Sequence, residues 1–143
     1  MSYDAAQLMR LSQAELDRIF AEGVPAPIPN GEGKGTAIVA PGTTFSHEIA
    51  TLINFFAWQG KVFDAEHGTL RNHILALGIK AIVAQVYKGP SLLDGKECIV
   101  LDYSQTSTIA GWVRDEIRLI APKLYLGKVY AHEKRLIDFA LQF

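Results

Sequence analysis

A chain of 143 residues with one cysteine, a formal net charge of −1 and charged side chains at a fifth of its positions has the size of a single globular domain. That balance excludes an electrostatic case for nucleic acid or an anionic membrane surface. The lone Cys98 excludes an intrachain disulfide, and no stretch reaches the roughly 18 apolar residues of a membrane span.

The opening MSYDAAQLMRLSQAELDRIF carries acids early and has no apolar run, unlike a secretory signal, so a cytoplasmic protein is expected. Within it, LSQAELDRIFAEG reads as a helix. Ser12 and Glu15 have the spacing of a capping box, Leu11 and Leu16 that of a hydrophobic staple, and Gly23 stands where a C-terminal cap belongs. Leu16, Ile19 and Phe20 make one narrow apolar face. VPAPIPNGEGKG follows as an extended connector, so residues 1–34 form a helix and lead-in to one domain spanning 1–143. GTAIVA is a short strand. TTFSHEIATLINFFAW is a second helix, because Phe45, Ile49, Leu52, Ile53 and Phe56 recur at helical spacing.

From Trp58 the pattern changes to short strands separated by turn signals: WQGKVFD, TLRNHIL, KAIVAQVYK, ECIVLDYS, WVRDEIRLI, LYLGKVY and LIDFALQF. Short connections force antiparallel neighbours, because parallel ones need a crossover of about a dozen residues. With GTAIVA the strands number eight, enough for a sheet to close around side chains or one small ligand. The expected fold is mainly β: an eight-stranded antiparallel, lipocalin-like (calycin-like) barrel with two N-terminal helices. A cone-shaped α+β sheet around a long helix is the rival.

The run WQGKVFD, GPS, LDYS, RDEIR, YLGKVY and FALQF resembles the motif order of small bacterial barrel proteins named for a Gly-x-Trp-x-Gly signature. The resemblance covers about residues 55–143, although the signature itself is absent. It implies a lipocalin-like barrel with an apolar ligand, attaches no activity, and draws attention to Trp58 and Lys61 without giving either a role.

Motifs for nucleophilic or phosphate chemistry are missing. NGEGKGT lacks P-loop spacing and precedes a strand. His47, His67, His73 and His132 have no metal-ligand spacing, so neither a metal nor a cofactor is expected. The strand residues say more. In WVRDEIRLI, Val113, Ile117 and Leu119 alternate with Arg114, Glu116 and Arg118, and Asp115 falls on the apolar side. With each hairpin centred on its turn, Asp115 faces Asp102, Asp102 faces Val83, and Asn72 lies opposite Val83 on the next strand. Gln85, Tyr87 and Asn72 share that face, and Tyr125 joins it from a later strand. Trp58, where the second helix meets the second strand, is a further candidate contact.

Two carboxylates on facing strands repel, so one would hold a proton and the other a charge. The expected function is binding of a small, largely apolar molecule, its polar end held by these carboxylates and tyrosines. The alternative is a cofactor-free isomerase, cyclase or lyase using Asp102 and Asp115 as acid and base. The other face of the middle strands (Ile82, Ala84, Val86, Ile99, Leu101 and Tyr103) is also apolar. It calls for cover by the helices or by a homodimer partner. An inverted face would instead put Tyr103 in the lumen.

Overall fold

The computed structural model describes residues 3–40, 61–72, 82–104 and 113–143, apart from the side chains at 62, 70–72, 82 and 83. The helix expected over 43–58 and the candidate Trp58 lie outside the described residues.

Two helices open the chain. Helix α1 (Ala5–Leu8) is capped by Asp4, whose side chain accepts from the Gln7 backbone N–H, and it buries Leu8. Helix α2 (Gln13–Glu22) begins at the capping box of Ser12 and Glu15 and buries Leu16, Ile19 and Phe20, as the sequence predicts. Its last cap differs from expectation. Gly23 is extended rather than left-handed. It is glycine because a Cβ there would stand 3.0 Å from the Arg118 Cβ and 3.2 Å from the Leu119 carbonyl oxygen.

The strands are β1 (Gly31–Ile38), β2 (Lys61–Asp64), β3 (Thr69–Asn72), β4 (Ile82–Pro90), β5 (Glu97–Asp102), β6 (Val113–Ala121), β7 (Leu124–Ala131) and β8 (Lys134–Gln142). Each pairs antiparallel with its neighbour in sequence, and β1 also pairs with β8, which closes the sheet into a barrel. The expected antiparallel, mainly β architecture is present. Strand β1 starts four residues earlier than GTAIVA predicts. Gly33 is there for packing: a Cβ on it would meet the Phe143 ring at 2.7 Å.

Two apolar cores result. One lines the lumen with Phe63, Ala84, Val86, Ile99, Leu101, Ile117, Val129, Ile137 and Phe139 among others. The second lies outside the barrel, where Leu8, Leu16, Ile19 and Phe20 of the helices cover Ile38, Cys98, Val100, Leu124, Leu126 and Ala140. Every residue of β7 is therefore buried, inward on the lumen or outward under the helices. The apolar row Ala84, Val86, Ile99, Leu101 and Tyr103, from which a covering subunit is expected, points into the lumen instead. The case for a dimer through that row goes with it.

The β7–β8 hairpin turns on His132 and Glu133, both at positive φ (49° and 68°). Such a two-residue turn normally carries Asn-Gly, because other residues in the left-handed region are strained by about 1–2 kcal/mol. Part of that relief is offset by the greater freedom of glycine when unfolded. Glu133→Gly should therefore raise stability by about 0.5–1 kcal/mol in urea denaturation, and a loss of stability would contradict this account of the turn.

Candidate functional site

Asp115 lies inside the barrel, as the alternation of β6 predicts, and is 1% exposed. Its neighbours are different from those expected. The β5–β6 register pairs Asp115 with Leu101 and Asp102 with Arg114, one residue off the register that sets Asp115 against Asp102. Since side chains alternate sides, one step puts the two carboxylates on opposite faces of the sheet. The β3–β4 register slips equally: Asn72 pairs with Ile82 rather than Val83. With a slip on each side, the β4–β5 hairpin is turned inside out relative to expectation. No Asp pair exists.

The candidates on that hairpin are accordingly on the outer surface. Gln85 is exposed and Tyr87 is 39% exposed. Tyr87 donates its hydroxyl to Asp102 Oδ2 at 2.7 Å, and Ser104 donates to Asp102 Oδ1 through its backbone N–H (2.9 Å) and hydroxyl (2.6 Å). Burial works to raise the Asp102 carboxyl, but these donors outweigh it and hold it low. Asp102 closes a turn and ties it to Tyr87. The side chain of Asn72 lies outside the described residues.

Tyr125 faces the lumen but at the other end. It is four residues along β7 from Val129, the partner of Asp115, about 13 Å away at a strand's rise. There it meets Phe143 edge to face at 5.5 Å, and Phe143 meets Phe63 the same way at 5.5 Å. These rings plug that end behind a surface cleft of about 440 Å³. Next inward, Phe139 lies across Gly127, where a Cβ would collide with its ring.

Lys61 and Tyr103, not Asp102, accompany Asp115. Lys61 Nζ stands 3.6 Å from Asp115 Oδ2 and donates to Tyr103 Oη at 3.1 Å. The ammonium sits 5.7 Å from the centre of the Phe139 ring and 5.8 Å from that of Tyr103, within cation–π range. Lys61 is 2% exposed and Tyr103 fully buried. Burial raises the Asp115 carboxyl to about 6, against the opposing pull of Lys61 and Tyr103. Burial likewise lowers the Lys61 ammonium, with Asp115 holding it up. Asp115 Oδ1 is buried and accepts no hydrogen bond.

The sequence marks Lys61 only weakly. It shares strand parity with Phe63, so an inward Phe63 brings a cation inside with it. Tyr103 belongs to the row expected to face outward. Both follow once β5 is turned over.

On the outer face of β6, Arg114, Glu116 and Arg118 point away from the lumen, and Glu116 and Arg118 are fully covered. Glu116 accepts from Ser91 Oγ at 2.6 Å and from the Leu92 N–H at 2.8 Å. Arg118 donates to both carboxylate oxygens of Asp94 (2.7 and 2.8 Å) and to the carbonyls of Phe20, Lys96 and Glu97. Its guanidinium lies 4.5 Å from the Phe20 ring centre and holds the Asp94 carboxyl down at about 2. These charges fasten the 91–96 turn and α2 to the barrel wall.

No protein-family model matches the chain. No curated protein matches it either. A crystal structure of a protein from Thermomonospora curvata is similar, with a TM-score of 0.63 at 12% identity over 93% of this chain and 88% of that one. At that identity the likeness is one of fold: a mainly β, antiparallel curled sheet with few helices. Among the described residues no helix is long and apolar enough to cross a membrane, and no three His, Cys, Asp or Glu side chains converge as a metal site.

Proposed function

We propose that this protein is a lipocalin-like barrel that binds a small, largely apolar molecule in its lumen. Asp115, Lys61 and Tyr103 hold the polar end of that molecule. The observation that carries the reading is the unpartnered, buried Asp115 Oδ1 inside an otherwise hydrocarbon wall of Val113, Ile117, Val129 and Phe139. A buried acceptor left without a donor costs about 1–3 kcal/mol. Proteins keep such groups where water or a ligand completes them.

Titration with the neutral fluorophore N-phenyl-1-naphthylamine tests the reading. Wild-type protein should give a saturable fluorescence rise, and Ala131→Phe, which adds a ring to the lumen, should abolish it while circular dichroism stays native. No saturable rise with wild type, or an unchanged rise with folded Ala131→Phe, would overturn it.

One observation favours a second reading, cofactor-free acid–base chemistry. A carboxyl near 6 beside an ammonium that burial depresses has the protonation range of a catalytic pair. The acid and base would then be Asp115 and Lys61, not two aspartates. A catalyst would release a changed molecule where a carrier returns the one it took up.

A further inference from the structure

We infer that the polar end of the lumenal ligand is an uncharged hydrogen-bond donor, an alcohol or phenol, and not a carboxylate. This inference rests on the lumenal binding reading above and specifies the class of molecule for the same site.

The cluster selects by hydrogen-bond valence and by charge. Lys61 Nζ has Asp115 Oδ2 at 3.6 Å and Tyr103 Oη at 3.1 Å. The valence left open is an acceptor, Asp115 Oδ1. A carboxylate, ketone or ether offers only acceptors and leaves Oδ1 as it was, whereas a hydroxyl donates to it. Charge points the same way. One ammonium and one carboxylate, both at most 2% exposed, neutralise each other. An added fatty carboxylate would place a second anion beside Asp115 in a low-dielectric interior, and an added amine an unpaired cation. Either is far less favourable than a neutral guest. The remaining wall is apolar and suits a hydrocarbon body.

Displacement of N-phenyl-1-naphthylamine by three probes of equal chain length isolates the head group: decan-1-ol, decanoate and 1-methoxydecane, at pH 7.5. A hydrogen bond to a charged group contributes about 1.5–3 kcal/mol, so decan-1-ol should displace the fluorophore at a concentration at least tenfold below the other two. Asp115→Asn presents an amide that both donates and accepts, and it should shrink the preference over decanoate to under threefold. Decanoate or 1-methoxydecane matching decan-1-ol on the wild type, or decan-1-ol failing to displace, overturns the donor inference and leaves lumenal binding standing. Failure of the fluorophore itself to bind removes both. The wild-type comparison decides the matter even if the variant does not fold.

Discussion

Replacing Lys128 by methionine should lower stability at pH 7 by about 3–5 kcal/mol, measured by urea denaturation, because it strands a buried anion. Lys128 lies on the outer face of β7 with no exposure and is the cross-strand partner of Asp138. Its ammonium donates to Asp138 Oδ2 at 2.9 Å and to Asp17 Oδ1 of α2 at 2.7 Å, and sits 5.3 Å from the Phe20 ring centre. Without it, Asp138 keeps one donor, Gln13 Nε2 at 3.3 Å, and faces the Asp17 carboxylate across a space that held a cation. Burial already raises the Asp138 carboxyl even with Lys128 opposing it. In the variant it would rise further and take a proton on folding. The deficit should therefore shrink as pH falls, since protonating Asp138 removes the stranded charge. Adding Asp138→Leu should recover most of the loss, as apolar replacement of a whole buried pair is often neutral. A loss below 1 kcal/mol for Lys128→Met would show that removing this cation strands no costly buried anion at Asp138.

The sequence carries most of the local structure and little of the site, for a reason that lies in the connections. Where a connection is short, the pattern works. The turns at 65–68, 122–123 and 132–133 hold their strands in registers that keep Val113, Asp115, Tyr125, Val129, Ile137 and Phe139 facing inward. Centring β4–β5 on its turn misplaces Asp102 by two residues, from Val83 to Gln85, which leaves every side chain on its own side. Where the connection is longer, after β3 and after β5, the turn no longer fixes parity, and each register is off by one. Both faces of β4 and β5 carry apolar residues, so hydrophobic alternation could not correct the error. The outer apolar residues, Cys98 and Val100, are apolar because α1 and α2 cover them. The buried charges of β6 mislead in the same way. Alternation tells which side of the sheet Glu116 and Arg118 occupy, but not that a turn and a helix come to lie over them.

Asp115→Asn should convert a pH-dependent loss of stability into a flatter profile. The carboxyl binds its proton near 6 in the folded protein and near 3.8 when unfolded. The folded state therefore holds more protons over that interval, and stability falls as pH rises through it, by about 3 kcal/mol. Asparagine has no proton to lose. The stability of the variant relative to wild type should then improve by about that amount between pH 4 and pH 7. Lys61 reinforces the trend. Its folded value is already lowered by burial, and losing the Asp115 carboxylate lowers it further. A group whose folded value is depressed below its unfolded one gains stability as pH rises, so the lysine in the variant tilts the difference the same way. Other carboxylates titrate in this range, among them Asp17, Asp94 and Asp102, which are held low, but they are common to both proteins and cancel in the difference. Urea midpoints at half-unit pH steps measure it directly. A constant gap between the two curves would mean that Asp115 keeps its charge throughout, with Lys61 compensating fully for burial.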